Sequence, residues 1–197
     1  MNFSLHTDHL VLREVSADDA YMLAKWKSTP LLREMSTGLD TEINELNQRG
    51  DIKSSILFGN IYLIIELKSE NNLPIGYIRI NWDGKSHKNA WLCYGMISHY
   101  REGYCYEALR ELLASMYEHD LLYNLTAEVY EFNKASRGLL RKLHFVENRR
   151  MIKNYYYKGR SWDTIEYVIT QDMAEHLKRE DRKEQAQDSY HHHHLTE

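Results

Sequence analysis

Residues 99–109 read HYREGYCYEAL, and the way this stretch folds decides the architecture around it. The apolar run WLCYGMI (91–97) precedes it, and the amphipathic segment EALRELLASMYEHD (107–120) follows. After Gly103 the apolar period becomes helical, with Ala108, Leu109, Leu112, Leu113 and Met116 on one face. A glycine between a strand-like run and a helix-like run has two readings. It can simply make the turn, because glycine adopts positive φ without steric cost. It can also seat a phosphate, since a helix start offers free amides and the positive end of the helix dipole.

Outward from this turn the chain alternates between strands and helices. Residues 9–15 (HLVLREV) read as a first strand. Ser16 is placed to cap a helix over 17–27, with Asp18 and Asp19 in its first turn where the dipole favours acids. Pro30 restarts or bends the chain. Residues 41–54 look helical, with a break near Gly50. Residues 61–67 and 75–82 form two strands joined by the polar turn KSENNLP, and DGKSHKN leads into a third strand over 90–97. Beyond the central helix come a strand (125–132), a short helix (135–143) and two strands (145–157 and 164–169) turned at Lys158-Gly159-Arg160. The expected fold is a mixed α/β (α+β) sheet, mostly antiparallel, flanked by helices, with a crossover around the central helix.

Bulk properties narrow the function. The 197 residues suit one domain, expected over 1–170, followed by a polar tail over 171–197 that is partly helical or disordered and has little to bury. The net charge of -4 supplies no global field for nucleic acid or an anionic membrane. No apolar run spans a bilayer and the first residues lack a signal-peptide pattern, so a cytoplasmic protein is expected. Cys93 and Cys105 make neither a disulfide framework nor a zinc pattern; Cys93, inside an apolar run, reads as core. Of the fifteen tyrosines, Tyr155-Tyr156-Tyr157 stand together, so Tyr156 faces opposite to its neighbours in a strand, and at least one of the three meets solvent or a ligand.

The order of elements and four stretches resemble the GNAT superfamily of acetyl-coenzyme A-dependent N-acetyltransferases, in the branch that includes the ribosomal-protein N-terminal acetyltransferases. These stretches are LVLREVSADDAYMLAKWKSTP, LPIGYIRI, HYREGYCYEAL and NKASRGLLRKLHF, and the resemblance spans residues 10–169. It implies that the turn binds the pyrophosphate of acetyl-coenzyme A. The family's turn has Gln or Arg, two variable residues, Gly, one variable residue, then Gly or Ala. Tyr100 and Cys105 depart from it, although a loop one residue shorter puts Arg101 in the basic position. The implied cofactor contacts are Met96, Ile97, Ser98, Arg101, Glu102, Gly103, Tyr104, Cys105, Tyr106 and Asn133. The pantetheine arm is expected in a gap between the strand ending near Ile97 and the strand beginning at Leu125. Asn133 and Ser136 match the family's asparagine and serine, though by spacing alone they are also an N-cap and a polar helix-face residue. Phe145 matches too, but His144 stands where glycine is usual, so some local rearrangement is expected.

Amide formation by direct attack needs a neutral amine, a polarised carbonyl and a stabilised leaving thiolate. Leu140 occupies the position where other members of the superfamily carry a tyrosine as the acid for the leaving thiolate. This favours Ser136 as the thiolate partner, as in the branch this chain resembles, with Asn133 positioning that end of the cofactor. Neither cysteine is expected to be a nucleophile. The general base is open between His99, Glu131 and an ordered water. The resemblance also implies that residues 26–35 and 155–162 border the acceptor, with Trp26 and Tyr156 contacting it. The acceptor is a primary amine, either a protein N-terminus or a small molecule, and the chain is a monomer or homodimer with no metal. A non-catalytic coenzyme A-binding module and a coenzyme-free ligand-binding protein are the alternatives.

Overall fold

The computed structural model describes residues 4–37, 43–86, 88–97, 103–175 and 177. Its eight strands form one sheet in the order β1-β2-β3-β4-β5-β6-β8-β7. These are β1 (Ser4–His6), β2 (Leu10–Glu14), β3 (Ile61–Leu67), β4 (Leu73–Trp82), β5 (Asn89–Met96), β6 (Asn124–Tyr130), β7 (Val146–Tyr157) and β8 (Arg160–Thr170). All neighbours run antiparallel except β5 and β6, the crossover pair. Helices α1 (Ala20–Lys27), α2 (Pro30–Met35), α3 (Glu45–Leu57), α4 (Tyr104–Glu118) and α5 (Lys134–Lys142) complete the fold.

Period-two alternation divides the core between the two faces of the sheet. Leu63 and Ile65 of β3, Ile78 and Ile80 of β4, and Leu125, Ala127 and Val129 of β6 pack with Leu109, Leu112 and Leu113 of α4. Tyr62, Ile64 and Tyr77 face the other way, toward Leu23 of α1 and Ile52 of α3. The helix-period stripe read after Gly103 is the buried side of α4.

Ser16 and Asp19 form a capping box ahead of α1. Both oxygens of Asp19 are also held by Arg13 at 2.8 Å, and Arg13 reaches on to Glu66 at 2.8 Å. Helix α3 is unbroken at Gly50, contrary to the sequence reading. Gly50 lies on the exposed face, while Gln48, Ile52 and Ser55 bury the other. Packing therefore outweighs a glycine penalty of about 1 kcal/mol. Strand β8 begins at Arg160 rather than 164, because Lys158 and Gly159 both take positive φ in a two-residue hairpin turn. The tail also does more than expected. Residues 171–175 are helical, and Ala174 and Leu177 are buried in the α4-side core.

Candidate active site in the sheet gap

Strands β5 and β6 pair at only three positions, Asn89 with Asn124, Ala90 with Leu125 and Trp91 with Thr126. Both strands continue well beyond, to Met96 and Tyr130, so they part after Trp91. Main-chain hydrogen bonds show what the parting exposes. The Asn89 carbonyl accepts from Asp83, and the Ile97 N–H donates to Ile75, so odd-numbered residues of β5 spend their polar groups on the β4 side. The even-numbered Tyr94 and Met96 turn theirs toward the gap, where no strand of the described residues lies to meet them. A cavity of about 390 Å³ opens there, walled by both helix layers.

One wall belongs to α4 and α5. Gly103 is the N-cap of α4 at φ 83, a left-handed conformation that explains the choice of glycine without any steric crowding around a Cβ. Cys105 is buried and Tyr106 is half-buried, its ring 4.0 Å from the Lys142 ammonium. Tyr104 packs its ring 6.1 Å from His9. Met96 is buried and lines the cavity, and Ile97 follows it. Of the expected cofactor contacts and bases, Ser98, Arg101, Glu102 and His99 lie outside the described residues.

At the start of α5, Asn133 accepts from the Ser136 amide at 3.2 Å, so it is a helix cap that also lines the cavity. Ser136 lines the cavity beside it, while Leu140 is fully buried in the core. Tyr94 is a neighbour that the sequence reading missed. Its hydroxyl is buried without a hydrogen-bond partner among the described residues. Burial raises its pKa, opposed by nearby Ser136, with which it closes no hydrogen bond of normal geometry. The far end of α5 needs no rearrangement to accommodate His144. The histidine takes φ 68, its N–H reaches the Arg141 carbonyl at 3.0 Å, and Phe145 N–H reaches Leu140 at 2.9 Å. That is the Schellman pattern which glycine usually closes.

The other wall belongs to α1, α2 and the opposite sheet face. Lys27 is 6% exposed, donates to Gln48 Oε1 and the Tyr62 hydroxyl at 2.9 Å each, and lies 4.9 Å from the Tyr77 ring centroid. Burial draws its pKa down to about 8, with Asp51 acting against the shift. Arg79 pairs with Asp51 at 2.5 Å and with Asn81 at 2.7 Å. Cys93, opposite Arg79 across the strand pair, is exposed to the cavity rather than core, because it belongs to the face that Leu92 does not. The thiol faces the cavity but sits deep within the surrounding protein, and this desolvation raises its pKa against the nearby charges of Arg79 and Lys27. Glu128, from β6, completes this side; burial raises its pKa and Glu166 adds to the rise.

Three residues named from the sequence point elsewhere. The Glu131 carboxylate accepts from the Asp163 amide at 3.1 Å and does not line the cavity. Trp26 packs against the α1–α3 core. Tyr156 is 71% exposed and faces away, whereas Tyr155 stacks on Tyr130 and Tyr157 on Phe132. Sheet packing therefore accounts for two of the three adjacent tyrosines, and solvent receives the third.

Residues 9–146 match the profile of the acetyltransferase (GNAT) domain. No curated protein matches the sequence. Among solved structures, the ribosomal-protein-S5-alanine acetyltransferase of Vibrio fischeri superposes with a TM-score of 0.72 at 18% identity, covering 86% of this chain and 97% of its own. RimL, a ribosomal L7/L12 α-N-protein acetyltransferase in complex with coenzyme A, gives 0.73 at 16% identity, over 85% and 98%. The microcin C7 self-immunity acetyltransferase MccE, in complex with acetyl-CoA and AMP, gives 0.68 at 16% identity, over 83% and 93%. Identities this low establish a shared fold. Among the described residues, no helix is long and apolar enough to cross a membrane.

Proposed function

The chain belongs to the GNAT acetyltransferase family, and on that premise we propose that it moves the acetyl group of acetyl-coenzyme A onto a primary amine by direct attack. The observation that carries this reading is the parting of β5 and β6 over a cavity with hydroxyls on one side and a carboxylate on the other. The coenzyme fits the α4 wall: Gly103 starts a helix whose free amides suit a pyrophosphate, and the unpaired main chain of Tyr94 and Met96 suits the amides of a pantetheine arm. The thioester supplies the activated acyl group. Glu128, its carboxyl pKa raised by burial, takes the amine's proton directly or through water. The amine nitrogen bonds to the carbonyl carbon as the carbon–sulfur bond breaks, and the leaving thiolate meets the Ser136 and Tyr94 hydroxyls.

The test is coenzyme A release from acetyl-coenzyme A against a panel of primary amines, with calorimetry of cofactor binding alongside. Saturable release with at least one amine is expected, and Glu128→Gln should lower its kcat by about 100-fold or more, the scale of a lost general base. Tight binding without release by any amine would indicate a non-catalytic coenzyme A-binding module. Equal cofactor affinity in wild type and Gly103→Val would remove the coenzyme from the start of α4.

A further inference from the structure

We propose that the acceptor amine also carries an anionic group, in the simplest case the carboxylate of an amino acid, which Lys27 and Arg79 bind while Glu128 receives the amine. The proposal rests on the transferase reading above and names the substrate class of that same cavity.

The argument begins with unanswered charge. Lys27 is almost wholly buried, yet its two hydrogen-bond acceptors, Gln48 Oε1 and the Tyr62 hydroxyl, are both neutral. No carboxylate pairs with it among the described residues. An ammonium has three donors, and two are spent. The rings of Tyr62 and Tyr77 lie 5.4 and 4.9 Å from Nζ and stabilise a cation without neutralising it. Asp51 acts on Lys27 only at longer range, and a charge held out of water without a directly paired counterion is costly unless a partner completes it. Lys27 lines the cavity, so a ligand is placed to supply that partner.

Arg79 adds to the same field. Its Nε serves Asn81 and its Nη1 serves Asp51, which leaves Nη2 without a hydrogen bond among the described residues. Asp51 neutralises one of the two cations, so among the described residues the Lys27–Arg79 end of this wall keeps one net positive charge, which disfavours a second ammonium there. Among the described residues, the only carboxylate in the cavity lining is Glu128, on the far strand of the gap. Arg79 lies opposite Cys93 on β5, and Glu128 is on β6 across the gap, so their backbones stand farther apart than two paired strand spacings, about 10 Å. Both residues line the cavity, which has room for a short molecule with opposite charges at its ends. A polyamine would set an ammonium against Lys27, whereas an amino acid complements both ends of this wall.

The experiment uses the full chain, acetyl-coenzyme A and matched pairs: glycine, β-alanine and 4-aminobutyrate, each against its primary amide. Spermidine serves as a cationic control, and peptides with an acidic or neutral second residue distinguish a protein N-terminus from a free amino acid. At least one acid should exceed its amide by about 10-fold or more in kcat/KM, because a site built for a polar partner rejects the analogue that lacks it. That advantage should fall to about 2-fold in Arg79→Gln and Lys27→Met, through KM, with calorimetric affinity for acetyl-coenzyme A retained. Preference for an acidic peptide over free acids supports the charge assignment and identifies the source as a protein. Amides or spermidine turned over as well as the acids would overturn the proposal while leaving the transferase reading intact. So would an acid preference undiminished in both variants. If either variant fails to fold, the acid-against-amide comparison in the wild type decides alone. Cofactor binding with no release by any amine removes the transferase reading and this proposal together.

Discussion

Lys27 ties the chemistry of a single residue to a measurable stability. Its pKa is drawn from 10.5 to about 8 in the folded protein. Between those values the unfolded chain binds more protons than the folded one, so stability rises with pH across that window. Below pH 8 the penalty is constant, and over the whole window the change amounts to about 3 kcal/mol. Lys27→Met abolishes this dependence. Denaturant unfolding at pH 7.5 and 9.5 should therefore show the wild type gaining about 2 kcal/mol on the variant, and parallel profiles would show Lys27 to be solvated. Ser136 and Tyr94 separate differently. Ser136→Ala should lower turnover by about 10- to 100-fold, the scale of one lost hydrogen bond to a developing charge, with little change in coenzyme affinity. Tyr94→Phe should lower turnover too, yet raise stability by about 1 kcal/mol, because it removes a buried hydroxyl without a partner. Full turnover in both variants would leave the thiolate to water.

Helix α5 shows how an element tolerates a residue that its geometry disfavours. Asn133 caps its start, and His144 closes its end in the left-handed region at φ 68. A side chain there costs roughly 1 kcal/mol that glycine avoids. His144→Gly should accordingly raise stability by about 0.5–1 kcal/mol in urea unfolding, with kcat unchanged. A loss of stability would mean that the histidine's own contacts outweigh its backbone strain. The helix was legible because its cap and apolar period lie within one short segment, and so was the strand-turn-helix around Gly103. Strand β1 was not: SLH has three residues, too few to show alternation. The docked turn after residue 170 was hidden because Met173, Ala174 and Leu177 are few apolar residues in a charged stretch, and only their neighbours reveal the burial.

Across the whole molecule, sequence order disclosed the mixed sheet but only half of the cavity. The coenzyme wall comes from contiguous turns with fixed spacing. The opposite wall brings together Lys27 of α1, Arg79 of β4, Cys93 of β5 and Glu128 of β6, and no spacing connects positions so far apart. Alternation does assign Glu128 and Cys93 to the face opposite Ala127 and Leu92, but it does not say that β5 and β6 stop pairing after Trp91. That early end to pairing has a further consequence for the chemistry proposed. On the proposed chemistry the coenzyme lies on the α4 side of the sheet and the amine on the α1 side, so the tetrahedral adduct would span the gap between β5 and β6. Its collapse would then release two products that already stand on opposite faces of the sheet. A stable conjugate of the two substrates, prepared in advance, would have to enter both half-sites at once, and should associate more slowly than either substrate alone.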